Sequence, residues 1–216
     1  MSTPPADEVK PRHWTQRKDS ARAQRAELTR AALIAAAREL FTDRGFHAVG
    51  IRDVTARAGV SRGALSHHFA DKEALFLAVF EAIERELTEP GRNSGDAEPA
   101  HDPWTAFRES IQLYLDAAAT RPDVQRITLV DGPAVLGWAR WRKLEEGYSL
   151  GALMAVLESA MHTGRVRRQA VEPLAHLILG SVMEAAMLIA NSDEPSRRRS
   201  EVGQALDDLL GGLAQA

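Results

Sequence analysis

Residues 51–75 read IRDVTARAGVSRGALSHHFADKEAL, and this stretch decides the fold. Ile51, Val54, Thr55 and Ala58 share one face at helical spacing. Gly59 follows where that helix must stop, in the slot where a left-handed residue costs least. Val60 folds back towards the core, and Ser61 is placed to cap the next helix by accepting a backbone N–H bond. Leu65 and Phe69, four apart, form the buried stripe of this second helix. A further helix begins near Asp71. Helix, short turn, helix at this spacing is the helix-turn-helix, whose second helix is laid into the DNA major groove.

Upstream, Leu28, Ala32, Leu33, Ala36, Ala37, Leu40 and Phe41 recur on one face, which predicts a helix over 21–44. Gly45 ends it, and Phe46 is placed to pack back on Phe41. Residues 1–20 are polar and contain prolines together with Arg12, Arg17 and Lys18. They read as a disordered arm, either a solvated tail or one that reaches into a DNA groove.

The chain has 216 residues, a net charge of −3 and no cysteine, which excludes disulfides, thiolate zinc sites and cysteine nucleophiles. Charge is uneven: residues 10–72 carry 13 Lys/Arg against 6 Asp/Glu, and the remainder 14 against 24. A basic N-terminal third on an acidic body suits a protein that offers one face to phosphates. The N-terminus lacks an apolar signal core, and no unbroken apolar run reaches ~18 residues. The expectation is a soluble, cytoplasmic protein that does not engage a membrane.

The run Ala58-Gly59-Val60-Ser61, then Gly63, Leu65, His68-Phe69, Lys72 and Leu75, follows the helix Ala31–Phe41 and Gly45-Phe46. Over residues 25–80 this pattern closely resembles the tetracycline-repressor (TetR) family of transcriptional regulators. The segment Asp131–Trp138, with Trp141-Arg142, also looks like effector-domain helices of that family. The resemblance implies an all-α fold of about nine helices, with a three-helix DNA-binding head on a larger effector and dimerisation body. On that plan the arm is 1–20, the helix-turn-helix domain 21–70, and the ligand-binding and dimerisation domain 71–216. The sequence departs from the family's habit twice. Ser66 stands where an aromatic usually contacts DNA, and Val49-Gly50 where a Thr or Ser usually caps the second helix.

With Leu65 and Phe69 turned inward, Gly63, Ala64 and His67 face outward, flanked by Ser66 and His68. Arg62 lies in the first turn, where an arginine can donate two bonds to guanine, while an alanine methyl can meet thymine and a histidine a base edge. Gly63 lets the backbone come close to a phosphate, and Ser61, at the cap of this helix, is counted with the DNA-facing residues. Lys72 and Arg52, each near the start of a helix, are the expected phosphate contacts. His68 also suits a buried, hydrogen-bonded role, and Arg52 a surface pair with Asp53 or Asp43.

Downstream, Glu89–His101 reads as a loop. Helices follow over Asp102–Ala119, from Pro122 to about Asp131, from Pro133 to Thr163 with a possible break at Gly147, and over 173–190 and 195–210. The body supplies Trp104, Phe107, Tyr114, Trp138, Trp141 and Met183 as candidate walls of an effector cavity, with Glu158 and His162 as polar anchors and His176 as a third. The stripes of the last two helices, Leu174, Ile178, Ser181 and Ala185 with Val202, Leu206 and Leu209, suit a four-helix interface of a two-fold homodimer. No nucleophile elbow, phosphate-cradling glycine loop or metal-spaced histidine cluster is present, so neither an enzyme nor a cofactor or metal is implied. The expected partners are an inverted-repeat duplex, a small effector molecule and a second copy of the chain. The leading reading is a ligand-released repressor; the alternative is a DNA-binding interaction protein of the same fold without an effector.

Overall fold

The computed structural model describes residues 12–92 and 102–214, with side chains over 22–88 and 102–214. Helix α1 (Arg12–Arg44) leads into α2 (Ile51–Ala58), α3 (Arg62–His68) and α4 (Lys72–Arg92). The body adds α5 (Pro103–Thr120), a π-helical stretch (Val124–Asp131) continuing into α6 (Gly132–Leu136), and then α7 (Trp138–His162), α8 (Val171–Ala190) and α9 (Pro195–Gly211). Among the described residues there is no strand, only an isolated bridge between Val166 and Ala214.

Two boundaries move. Alpha-helix α1 begins at Arg12, so the arm expected over 1–20 loses its second half; residues 1–11 lie outside the described residues. After Pro11 the chain meets no proline or glycine until Gly45, and it is rich in Ala and Arg, which hold a helix readily. Leu28, expected on the buried face, is 64 % exposed, because the packed part of α1 begins only at Leu33. At the other end of the head α4 continues to Arg92, through part of the expected loop; residues 93–101 lie outside the described residues.

The head closes around Phe41, Phe46, Leu65, Phe69, Leu75 and Phe76, all buried. Phe46 is wedged between Phe41 (ring centroids 5.7 Å apart) and Phe76 (5.2 Å). In the body, α5 packs on α7, α8 and α9, and α8 also packs on α7 and α9. By length and composition α8 is apolar enough to cross a membrane, but half of it is buried in this bundle.

The break expected near Asp131-Gly132 falls instead at Gly137, whose φ is +77°. Gly132 is helical (φ −52°), and α7 runs through Gly147 unbroken. The π register explains why the chain holds there. In it the carbonyl of Thr128 would accept from residue 133, a proline without an N–H. The buried indole of Trp141 donates to that carbonyl instead, at 2.9 Å.

Gly45 adopts φ +75°, and a side chain there would meet the Arg126 guanidinium. Since Arg126 is half exposed and can swing away, the backbone sets the cost. Gly45→Ala should lower stability by about 1 kcal/mol. Gly147→Ala, in an open helical position, should raise it by up to ~1 kcal/mol. Urea titration with an unchanged slope checks both; equal midpoints would show that neither backbone argument holds.

Candidate nucleic-acid interface and its link to the body

Helix α3 is short, and its start is set locally. Ser61 has an extended backbone and its hydroxyl accepts the Ala64 N–H at 3.2 Å. Before α3, Gly59 closes α2 in the left-handed conformation (φ +67°). The weak cap at Gly50 is reinforced from ahead, since the Asp53 carboxylate accepts the Gly50 N–H at 2.8 Å. Leu65 and Phe69 then anchor α3 inward, with the Arg30 guanidinium 5.4 Å from the Phe69 ring centroid.

This orientation leaves Ser61, Arg62, Gly63, Ser66 and His67 exposed, with Ala64 and His68 half-buried beside them. The rings of His67 and His68 meet edge to face at 5.4 Å. Arg52 is exposed on α2 and forms no ion pair with a described residue, so the surface pair with Asp53 or Asp43 is not made. Lys72 behaves differently from the others. Its ammonium donates to the carbonyls of Phe46 (2.9 Å) and Val49 (3.1 Å) and lies 4.0 Å from the Phe46 ring centroid. Two of its three N–H groups are thus committed to the α1–α2 turn, leaving one for a phosphate.

The same turn is tied to the body. The Asp131 carboxylate, buried at the end of the π stretch, accepts the Phe46 N–H at 2.8 Å and faces Arg126 Nε at 3.3 Å. Higher on α1, Arg38 donates to both Glu86 oxygens (2.6 and 2.8 Å) and to Asp123 (2.5 and 2.9 Å). Arg121 bridges the same two acids, at 3.1 Å to Glu86 and 2.9 Å to Asp123. Burial alone would push the Asp123 carboxyl up, but hydrogen bonds from Arg121 and Arg38 outweigh it and hold it at about 2. The Arg38 guanidinium is raised above its ordinary range, chiefly by its bonds to Glu86.

Inside the body, Trp104, Trp141 and Met183 are buried, and Phe107 and Tyr114 pack partly buried against the core. The other expected pocket residues stand elsewhere. Trp138 is 53 % exposed, its ring tilted against that of Trp141 at 5.0 Å between centroids, and Glu158 and His162 are exposed at the end of α7. Their i, i+4 spacing put them on one face of α7, but that face is the outer one. His176, on α8, sits 3.5 Å from Glu146 of α7.

Two buried acids that periodicity passed over are Glu84 on α4 and Glu145 on α7, exposed by only 3 % and 5 %. Neither Oε1 has a hydrogen-bond partner among the described residues, and neither does the Trp104 indole N–H. Burial pushes the Glu84 carboxyl up to about 7, against a weaker pull from Arg121. Glu145 is raised well above the carboxylate range by burial first and then by Glu84. The signal was present in the sequence: Glu84 falls on the stripe Phe80-Ile83-Leu87, and Glu145 lies between Trp141 and Tyr148 at helical spacing.

Residues 33–79 match bacterial regulatory proteins of the tetR family, and residues 104–213 match the tetracyclin repressor-like C-terminal domain. The chain belongs to the TetR family. A TetR-family transcriptional regulator from Pectobacterium atrosepticum superimposes with a TM-score of 0.77 at 37 % identity, over 89 % of this chain and 97 % of that one. The regulator CymR of Pseudomonas putida is 45 % identical over 98 residues, 45 % of either chain. The repressor AcnR of Corynebacterium diphtheriae is 27 % identical over 73 % of this chain and 78 % of its own. RolR in complex with resorcinol shares the fold at a TM-score of 0.61 and 23 % identity, over 88 % of this chain and 90 % of its own.

As a TetR-family member the chain is a DNA-binding transcriptional regulator, and its head is the family's helix-turn-helix domain. In this member Lys72 supports that head from within. Lys72→Met keeps the apolar stem over Phe46 but leaves two carbonyls without their charged donor, and should lower stability by roughly 1–3 kcal/mol. Arg62→Ala, at an exposed position, should leave stability within ~0.5 kcal/mol of the parent. Thermal melts compare them; equal melting temperatures would show that the Lys72 clasp carries no weight.

Proposed function

We propose that the protein is a repressor that binds an inverted-repeat operator as a homodimer in the cytoplasm and is released by a small, largely apolar molecule taken up in the body. The observation that carries the DNA part is the outward face of α3. Arg62, Gly63, Ser66 and His67 are solvent-exposed on a helix whose opposite side is locked by Leu65 and Phe69. Arg62 and His67 are the base readers, Ala64 a thymine-methyl contact, and Ser61, Ser66, His68, Arg52 and the remaining N–H of Lys72 the backbone contacts. AcnR is named a repressor, and solved structures of this fold hold resorcinol or stearoyl-CoA, which agrees with regulation by a small ligand. Ligand uptake is assigned to the interior bounded by Trp104, Phe107, Tyr114, Trp141 and Met183.

Dimerisation is assigned to the outer side of α8 and α9. Leu177, Leu188 and Leu209 are 70 %, 47 % and 55 % exposed there. They border a groove of about 540 Å³ that Gly180, Ser181, Ala185, Val202 and Leu206 also line. Of the residues expected at the interface, Leu174, Ile178, Ala185 and Leu206 are buried within the subunit; Ala185 and Leu206 still floor the groove, whereas Leu174 and Ile178 belong to the monomer's own core. An apolar face of this kind suits isologous pairing of two helices with their copies.

Selection of bound sequences from random DNA should return an inverted repeat with half-sites ~34–36 Å apart or a multiple of that. Arg62→Ala or His67→Ala should relax one base position at a cost of about 1–3 kcal/mol on the selected sequence, with random DNA bound as before. Variants that discriminate as sharply as the parent would remove α3 from the groove. The double variant Leu177→Glu, Leu209→Glu should sediment as a folded monomer with weakened operator binding. A parent that sediments as a monomer at micromolar concentration while holding the repeat tightly would overturn the dimer.

A further inference from the structure

Among the described residues Glu84 and Glu145 have no hydrogen-bond partner at Oε1, whereas the other buried acid, Asp131, is paired. Arg121 is near enough to Glu84 to lower its carboxyl somewhat, yet its guanidinium is committed to Glu86 and Asp123. Arg85 donates from Nε to the carbonyl of Glu81. The Tyr114 phenol, on a side chain partly buried against the core, is raised by desolvation and then by the charges of Glu145 and Glu84, so both acids lie within electrostatic reach of it. Tyr148 feels the same two acids together with Glu81 and Arg85. Two buried carboxyl groups on helices that pack together, α4 and α7, therefore lie within electrostatic reach of one another, with no cation paired to either among the described residues. An ionised carboxylate there is costly unless something pairs with it. An anion would add to the repulsion, and a neutral molecule would leave one acid's charge uncompensated. A cation with several N–H groups answers both oxygens.

We propose that Glu84 and Glu145 form the polar end of the effector site, and that the effector presents to them a positively charged, hydrogen-bond-donating group on an aromatic or apolar body. This rests on the effector reading above and narrows it to organic cations. Tyr114 and Tyr148 flank the charged head, and the ring faces of aromatic side chains favour a cation further. Ten residues back along α5, and so ~15 Å from Tyr114 along the helix axis, stands Trp104, whose indole N–H has no partner among the described residues and offers a second polar group to an elongated molecule. In the free protein the pair holds a proton at neutral pH. Binding a cation expels that proton, so affinity rises as pH increases through about 7, where Glu84 titrates.

The test uses the full chain and three probes of one shape: benzamidinium, neutral benzamide and anionic benzoate. Binding is read by tryptophan fluorescence and by the shift in melting temperature. Benzamidinium should bind on the order of tenfold more tightly than benzamide, through charge-assisted bonds, and more tightly at pH 8 than at pH 6. Benzoate should not bind. Glu145→Gln and Glu84→Gln, each checked for retained helix by circular dichroism, should lose the preference for the cation. Equal binding of amidinium and amide, a preference kept in both variants, or no amidinium binding at millimolar concentration overturns the proposal. Operator release by a neutral or anionic metabolite, with no cation preference, would overturn this inference and leave the effector reading standing. If no small molecule releases the operator while benzamidinium still binds through the two glutamates, the effector reading falls instead.

Discussion

The placement of the DNA-binding head depends on one residue, Phe46, in the turn between α1 and α2. Its ring is wedged between Phe41 and Phe76. Its N–H is held by the Asp131 carboxylate and its carbonyl by the Lys72 ammonium. Gly45, in the left-handed region, supplies the reversal that lets all three contacts form. Both polar contacts involve a charged group, and bonds of that kind exceed neutral ones in strength by about twofold. Helices α2 and α3 follow from this turn. Because Asp131 belongs to the π stretch of the body, the head's orientation is linked to whatever moves that stretch.

A second connection runs parallel to the first, through Arg38, Glu86, Arg121 and Asp123. It shows how the chain handles buried charge when a partner is available: Asp123 stays ionised down to about 2 although burial opposes it. Glu84, two residues before Glu86 on the same helix, is treated oppositely. A separation of two turns a helical side chain to another face, so Glu86 meets the arginines and Glu84 enters the interior without one. Paired and unpaired carboxylates thus lie side by side on α4, and Arg121 is the residue that senses both.

Helix α8 serves two surfaces at once. Leu174, Ile178, Val182 and Ile189 fill the body's core, while Leu177 and Leu188 remain on the outside. A stripe wide enough for both purposes has no single polar face, which is why its composition also resembles a membrane span. Only the neighbours of the helix separate the two faces, since α5, α7 and α9 pack against it and leave Leu177 and Leu188 uncovered.

The sequence by itself determined the all-α fold, the helix-turn-helix and the orientation of α3. Those follow from local rules: glycine at a left-handed position, serine at a cap, and apolar residues at helical spacing, each satisfied within a few residues of chain. It also held the membership of the chain in the TetR family, because Ala58–Leu75 carries a dense local pattern. What the tertiary structure alone decided concerns groups far apart in sequence. Glu158 and His162 have the right spacing for anchors, yet they face solvent because the other side of α7 packs inward. Lys72 has the right position for a phosphate contact, yet two carbonyls some 25 residues upstream take up most of its donors. Glu84 and Glu145 come within electrostatic reach of one another only because α4 and α7 pack together. Periodicity reports which side of a helix is apolar, but the partner of a buried charge is set by three-dimensional packing, where a carboxylate interacts with whatever lies within a few ångströms regardless of its place in the chain.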